Sequence, residues 1–125
     1  MKRIIICAFI MVIIIIIGIG SYIYTDNAMD RTEKAVDNIS DSYLSGNLDE
    51  VKRLTNELSA EWRKQYRSYV FIFDKEHIME LTAMIARIEA FAEEENPEVL
   101  VECKAAVEFI RLYRAKEDIT LGNIL

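Results

Sequence analysis

The stretch Ile4 to Tyr24 constrains this chain more than any other. It reads IIICAFIMVIIIIIGIGSYIY, 21 residues without a charged side chain. In a helix rising about 1.5 Å per residue it reaches roughly 31 Å, about the thickness of a bilayer's hydrocarbon core. This predicts a membrane-spanning helix. The chain beyond Tyr24 is polar and patterned for helix. The 125-residue protein therefore divides into a short cytoplasmic N-terminus (1–3), a transmembrane anchor (4–24) and one extracytoplasmic domain (25–125) of about 100 residues.

Lys2 and Arg3 are the only charged residues before Asp26, so the remainder carries 13 basic and 21 acidic residues, a net charge of −8 against −6 for the whole chain. An acidic domain cannot displace counterions from phosphates, which excludes nucleic-acid binding. Positive charge before the apolar run and acidic residues after it place the N-terminus in the cytoplasm and the domain outside, as a single-pass signal-anchor in the cell membrane. Gly18 and Gly20 offer the competing reading, a cleaved secretory signal that releases a helical domain. The apolar run continues through Ile23, whereas signal cores stop at about 15 residues, so retention is the expectation.

Cysteine use is sparse. Cys7 lies within the apolar run as a small hydrophobe, and Cys103 is alone in the domain, so no disulfide can form within it. The fold must hold by packing.

Helical periodicity then carries the reading. Met29, Ala35, Val36, Ile39 and Tyr43 recur at three- and four-residue steps, with Asp30 and Lys34 at a favourable helical spacing. No Gly or Pro separates Tyr24 from them, so the anchor is expected to continue unbroken into the domain. Ser45-Gly46 ends this helix, and Asn47 with Glu50 forms a capping-box start for the next. Leu48, Val51, Leu54 and Leu58 lead into Trp62, Tyr66, Tyr69, Val70 and Phe73. Tyr69 to Phe73 loses the stripe and also reads as a short strand. Asp74 caps a third helix bearing Ile78, Leu81, Ile85, Ile88 and Ala92. Asn96-Pro97 breaks it, and Leu100, Cys103, Val107, Ile110 and Tyr113 or Arg114 face inward on a fourth. The fold class is all-α: a single N-terminal transmembrane helix followed by an up-and-down bundle of about four helices, the first continuous with the anchor.

That topology gathers Tyr69, Phe71, Phe73, His77, Ile124 and Leu125 at the membrane-near end as a candidate partner surface. Arg67, Arg111, Arg114 and Lys116 are expected there too, where anionic headgroups favour them by about 1 kcal/mol each. His77, the single histidine, stands near Asp74, Glu76 and Glu80, the types that make a metal or acid–base site, yet a bundle-core dimetal site needs two Glu-x-x-His units. A polar first turn of the third helix is the expectation. Consecutive Glu93, Glu94 and Glu95 diverge around a helix and cannot converge on calcium. No glycine-rich phosphate loop and no nucleophile with a histidine at readable spacing occurs. The chain is therefore expected to be no enzyme and to use no cofactor or metal.

Ile4 to Tyr24, the aromatic stretch Trp62 to Tyr69, Asp74-Lys75-Glu76-His77 with Glu80-Leu81, and the closing Asn123-Ile124-Leu125 occur in an order that resembles a family of short, N-terminally membrane-anchored bacterial proteins of unknown function. The resemblance runs over nearly the whole chain. It implies a membrane-anchored helical protein and supplies no activity, cofactor or catalytic residue. The expected role is contact: an interaction or accessory module for another membrane or envelope protein. A small-molecule sensing bundle is the alternative. Partner and oligomeric state are not encoded in any readable motif.

Overall fold

The computed structural model describes residues 1–124, and the side chains of all of these except 120, 121, 123 and 124. Four helices account for the fold: α1 (Lys2–Leu44), α2 (Leu48–Ile72), α3 (Lys75–Glu93) and α4 (Glu98–Ile124). Each packs on its two neighbours around a ring, α1 on α2 and α4, and α3 on α2 and α4. This is the up-and-down bundle that short connections between consecutive helices demand. No strand occurs among the described residues.

α1 is one unbroken helix with two environments. Its apolar run is exposed: Ile4, Phe9, Ile14 and Ile19 are among the most accessible large side chains in the molecule. It is long and apolar enough to cross a membrane. From Ala28 onward the same helix turns Ala28, Met29, Thr32, Val36 and Ile39 into the core. The 28, 32, 36, 39 spacing keeps that face aligned with the bundle axis.

The helix ends follow local chemistry. Gly46, at φ 78°, takes the left-handed position after α1, and the amides of Gly46 and Asn47 return to the carbonyls of Tyr43 and Ser42. Asn47 Oδ1 accepts from Glu50 N at 3.2 Å. The reciprocal half of the expected capping box is not made, because the Glu50 carboxylate pairs with Arg53 one turn on. Asp74 Oδ1 accepts from Glu76 N at the start of α3, and Asn96 Oδ1 from Glu98 N at the start of α4. Glu95 occupies the left-handed position after α3 at φ 55°, with Asn96 N donating to Phe91 O at 2.9 Å.

Two expectations need correction. Tyr69 to Phe73 is not a strand: the helix runs to Ile72, and Phe73 N donates to Tyr69 O at 2.8 Å. Helical continuity satisfies those backbone groups, and no neighbouring strand is present to do so. On α4 the inward apolar position is Val99, 1% exposed, while Leu100 is half-buried. The remaining inward positions, Cys103, Val107 and Ile110, are buried as the spacing requires, together with Ala106.

All five residues of the α3 stripe, Ile78, Leu81, Ile85, Ile88 and Ala92, are buried. Met84, Phe91 and Phe109 widen the core from its edges. The buried hydroxyls and the indole nitrogen within it are hydrogen-bonded. Thr32 and Thr55 donate to carbonyls one turn back, Trp62 Nε1 donates to Thr82 Oγ1 at 2.9 Å, and Ser59 donates to Glu89. Cys103 is fully buried, and burial pushes its thiol up to about 11.

Candidate functional site

The end of the bundle where α1 leaves the core holds two constellations. The first is a ladder of rings. Trp62 and Tyr69 on α2 lie 5.1 Å apart between centroids, Tyr69 meets Phe73 edge-on at 5.5 Å, and Phe73 lies 5.9 Å from Tyr113 of α4. His77, in the first turn of α3, stacks on Tyr113 at 3.6 Å and on Phe109 at 4.8 Å. Phe109 and Tyr113 are four residues apart on α4, which is why both reach one imidazole. Offset-stacked and edge-on ring pairs are worth roughly 0.5–1.5 kcal/mol each beyond the area they bury.

His77 is 6% exposed, and its Nε2 is buried without a hydrogen-bond partner among the described residues. Removal from water pushes its pKa from 6.5 down to about 4, against an opposing pull from Asp74 and with a further push from Lys116. The imidazole is therefore neutral at pH 7. Burial likewise raises the Tyr113 hydroxyl to about 12.

The second constellation ties α4 to α1. Arg114 meets three carboxylates one turn apart on α1: Asp26 at 3.0 Å, Asp30 at 3.4 Å and Glu33 at 3.2 Å. Arg111 donates to Glu33 at 2.7 Å, Lys34 pairs with Asp30 at 2.9 Å, and the Tyr22 hydroxyl donates to Asp118. The hydrogen bond from Lys34 and the charge of Arg114 hold Asp30 below the usual carboxylate range. These contacts set the register of α4 on α1 and bring Asp118 level with the last turn of the apolar run. Phe73, Tyr22, Asp26, Tyr113 and Arg114 share the walls of a small cleft there.

The expected partner surface is thus divided by the structure. Tyr69, Phe73 and His77 are core residues at 4, 5 and 6% exposure, whereas Phe71 is 85% exposed beside half-open Ile72. Two residues along a helix turn through about 200°, so Phe71 must face away when Tyr69 and Phe73 face in. Leu125 and the Ile124 side chain lie outside the described residues. His77 is not a polar first-turn residue, since α4 supplies two rings that enclose it, and Glu80 is exposed and not brought to it. Arg111 and Arg114 pair with α1 carboxylates. The Arg114 cluster was missed as a unit, although Asp26, Asp30 and Glu33 at four- and three-residue steps are a legible acidic stripe. No group of three His, Cys, Asp or Glu suited to a metal occurs among the described residues.

Fold and site together define an all-α bundle built upon a helix long and apolar enough to span a membrane, with its interior given over to packing, ring stacking and an interhelical charge cluster. The family described as a domain of unknown function (DUF4363) matches residues 19–124, and the chain belongs to it. No curated protein and no solved structure matches the chain.

Proposed function

We propose that this protein is a single-pass membrane protein, its N-terminus cytoplasmic and its bundle extracytoplasmic, which acts without catalysis as an interaction or accessory module for another membrane or envelope protein. One observation carries the reading: α1 is a single helix from Lys2 to Leu44 that supplies both the exposed apolar run and one wall of the bundle core. Such a helix leaves no flexible joint between bilayer and bundle. The bundle is held at a fixed height and rotation, which suits a surface that must meet a neighbour in the same membrane. Phe71, exposed at the end nearest the span, supplies an aromatic side chain of the kind that anchors contacts.

The test is crosslinking of the full-length protein in native membranes followed by affinity purification. A stoichiometric partner, lost with Phe71→Ser while helicity is unchanged, is the expected result. Recovery of the protein alone under all conditions refutes contact with a partner.

A second reading, small-molecule sensing, draws support from a groove of about 400 Å³ between α1 and α2, walled by Ala28, Thr32, Ala35, Leu54, Leu58 and Tyr69. That volume falls within the range of ligand pockets, roughly 300–1,000 Å³. A thermal-shift screen separates the two, because a compound that binds only the folded state raises the melting midpoint.

A further inference from the structure

α4 extends past the rest of the bundle. It is 27 residues long against 19 for α3, on which it packs. α2 and α3 meet at Phe73 and Asp74, and Phe73 shares the walls of a cleft with Tyr22 and Asp118, which fixes the level of that corner on α1 and on α4. Beyond it, among the described residues, only α1 and α4 continue. The pairs Arg111–Glu33, Arg114–Asp26 and Asp118–Tyr22 run in opposite directions along the two helices, so each residue gained on α4 is a step back along α1. Residues 119–124 therefore lie at the level of roughly residues 16–21 of α1 and reach about 9 Å beyond Asp118.

Both helices lose their charges at that level. On α1 nothing charged lies between Arg3 and Asp26. On α4 a charge occurs at least every fourth residue from Glu98 to Asp118, and residues 119–124 then read ITLGNI. Ile119 is 66% exposed, and a Cβ at Gly122 would meet nothing within 4 Å, so packing does not hold this overhang. In water an uncharged, unpacked helix end has little to keep it formed. Ile16, Ile17 and Ile19 of α1 are exposed at the same level, and whatever surrounds them surrounds the overhang too.

We propose that the end of α4, Ile119 to Ile124, is a second membrane contact, lodged in the outer leaflet beside α1. The partner is lipid: acyl chains around Ile119 and headgroups around Tyr22 and Asp118. The proposal rests on the reading of α1 as a membrane span, because the register carries the surroundings of α1 over to α4. Depth is bounded at both ends. Asp118, whose carboxylate accepts from the Tyr22 hydroxyl, holds the start of the overhang among the headgroups, the depth that tyrosine rings favour. At about 9 Å the helix stops short of the midplane of a roughly 30 Å core, and its last unpaired carbonyls oppose deeper burial. A second attachment fixes the tilt of the bundle, which a single span leaves free to vary.

The experiment reads tryptophan quenching by phosphatidylcholine brominated on its acyl chains, with the full-length protein reconstituted at low density in vesicles holding no other protein. Three single variants are compared after subtraction of the native Trp62 signal: Ile119→Trp in the overhang, Ile19→Trp in the apolar run, and Leu112→Trp. Leu112 is 69% exposed on α4, roughly 9 Å to the other side of Asp118. Circular dichroism establishes that each variant is folded. Ile119→Trp should lose emission to the same extent as Ile19→Trp, with its maximum to the blue of Leu112→Trp, which keeps its emission. An unquenched Ile119→Trp beside a quenched Ile19→Trp overturns the proposal and leaves the span in place. Equal quenching at 112 and 119 also overturns it, because the bundle would then lie flat on the bilayer. No quenching at 19 or 119 removes the span and the proposal together.

Discussion

Acidification should loosen this bundle through one residue, His77. Stacked between Phe109 and Tyr113 and out of reach of water, its imidazole is held neutral, with a pKa of about 4 against 6.5 when exposed. The folded state thus takes up the proton later than the unfolded chain. Stability from the neutral ring is fully present above pH 6.5, falls as pH drops, and is exhausted below about 4. The difference corresponds to about 3 kcal/mol in all, of which about 2.5 is lost by about pH 4.5. The assay is urea unfolding of the full-length protein in detergent micelles, followed by circular dichroism at neutral pH and at about pH 4.5. Carboxylates also titrate in that interval, so the informative quantity is the comparison with His77→Phe, which keeps a stacking ring and removes the proton site. The variant should lose about 2.5 kcal/mol less than the native chain between the two conditions. Parallel losses would refute the reasoning, for they would mean that the imidazole is hydrated in the folded state.

Other perturbations act on single features. Arg114→Ala should cost about 1 kcal/mol, a modest figure because the cluster is partly exposed, and the difference from the native chain should shrink as salt is raised; urea midpoints at two ionic strengths measure it. Glu95→Gly should raise stability by about 1 kcal/mol, since a side chain at φ 55° is strained where glycine is not; a lower urea midpoint would show that the Lys52 contact at 3.0 Å outweighs the backbone term. Cys103 should resist maleimide at neutral pH until the protein is unfolded, because the thiol is buried and its pKa is pushed up to about 11; rapid labelling of native protein would place it in an opening segment.

Much of this architecture is legible in local sequence signals. The uncharged run from Ile4 to Tyr24, the left-handed glycine at 46, the side-chain caps at Asn47 and Asp74, and the break at Asn96-Pro97 each act within one helical turn, so a linear reading recovers the helices and their order. The α3 stripe could be read entirely, because a single apolar face leaves no choice of direction. The α1–α4 register could not be read, since Arg114 is 88 residues from Asp26 and their approach depends on ring closure of the whole bundle.

Residues with more than one plausible direction were decided by packing. Tyr69, Phe71 and Phe73 are all aromatic in sequence, yet the bundle buries the first and third and leaves the second in the open. His77 belongs to an acidic turn by neighbourhood and to an aromatic core by position, because Phe109 and Tyr113 arrive from α4. On that helix the spacing picks out Cys103, Val107 and Ile110 for the core, and packing puts Val99 there in place of Leu100. The sequence by itself determined a helix long and apolar enough to span a membrane, the four helices and most of their boundaries, because those depend on interactions within a few residues. Which apolar side chains are core and which remain available to a neighbour was decided only when four helices closed around a common axis.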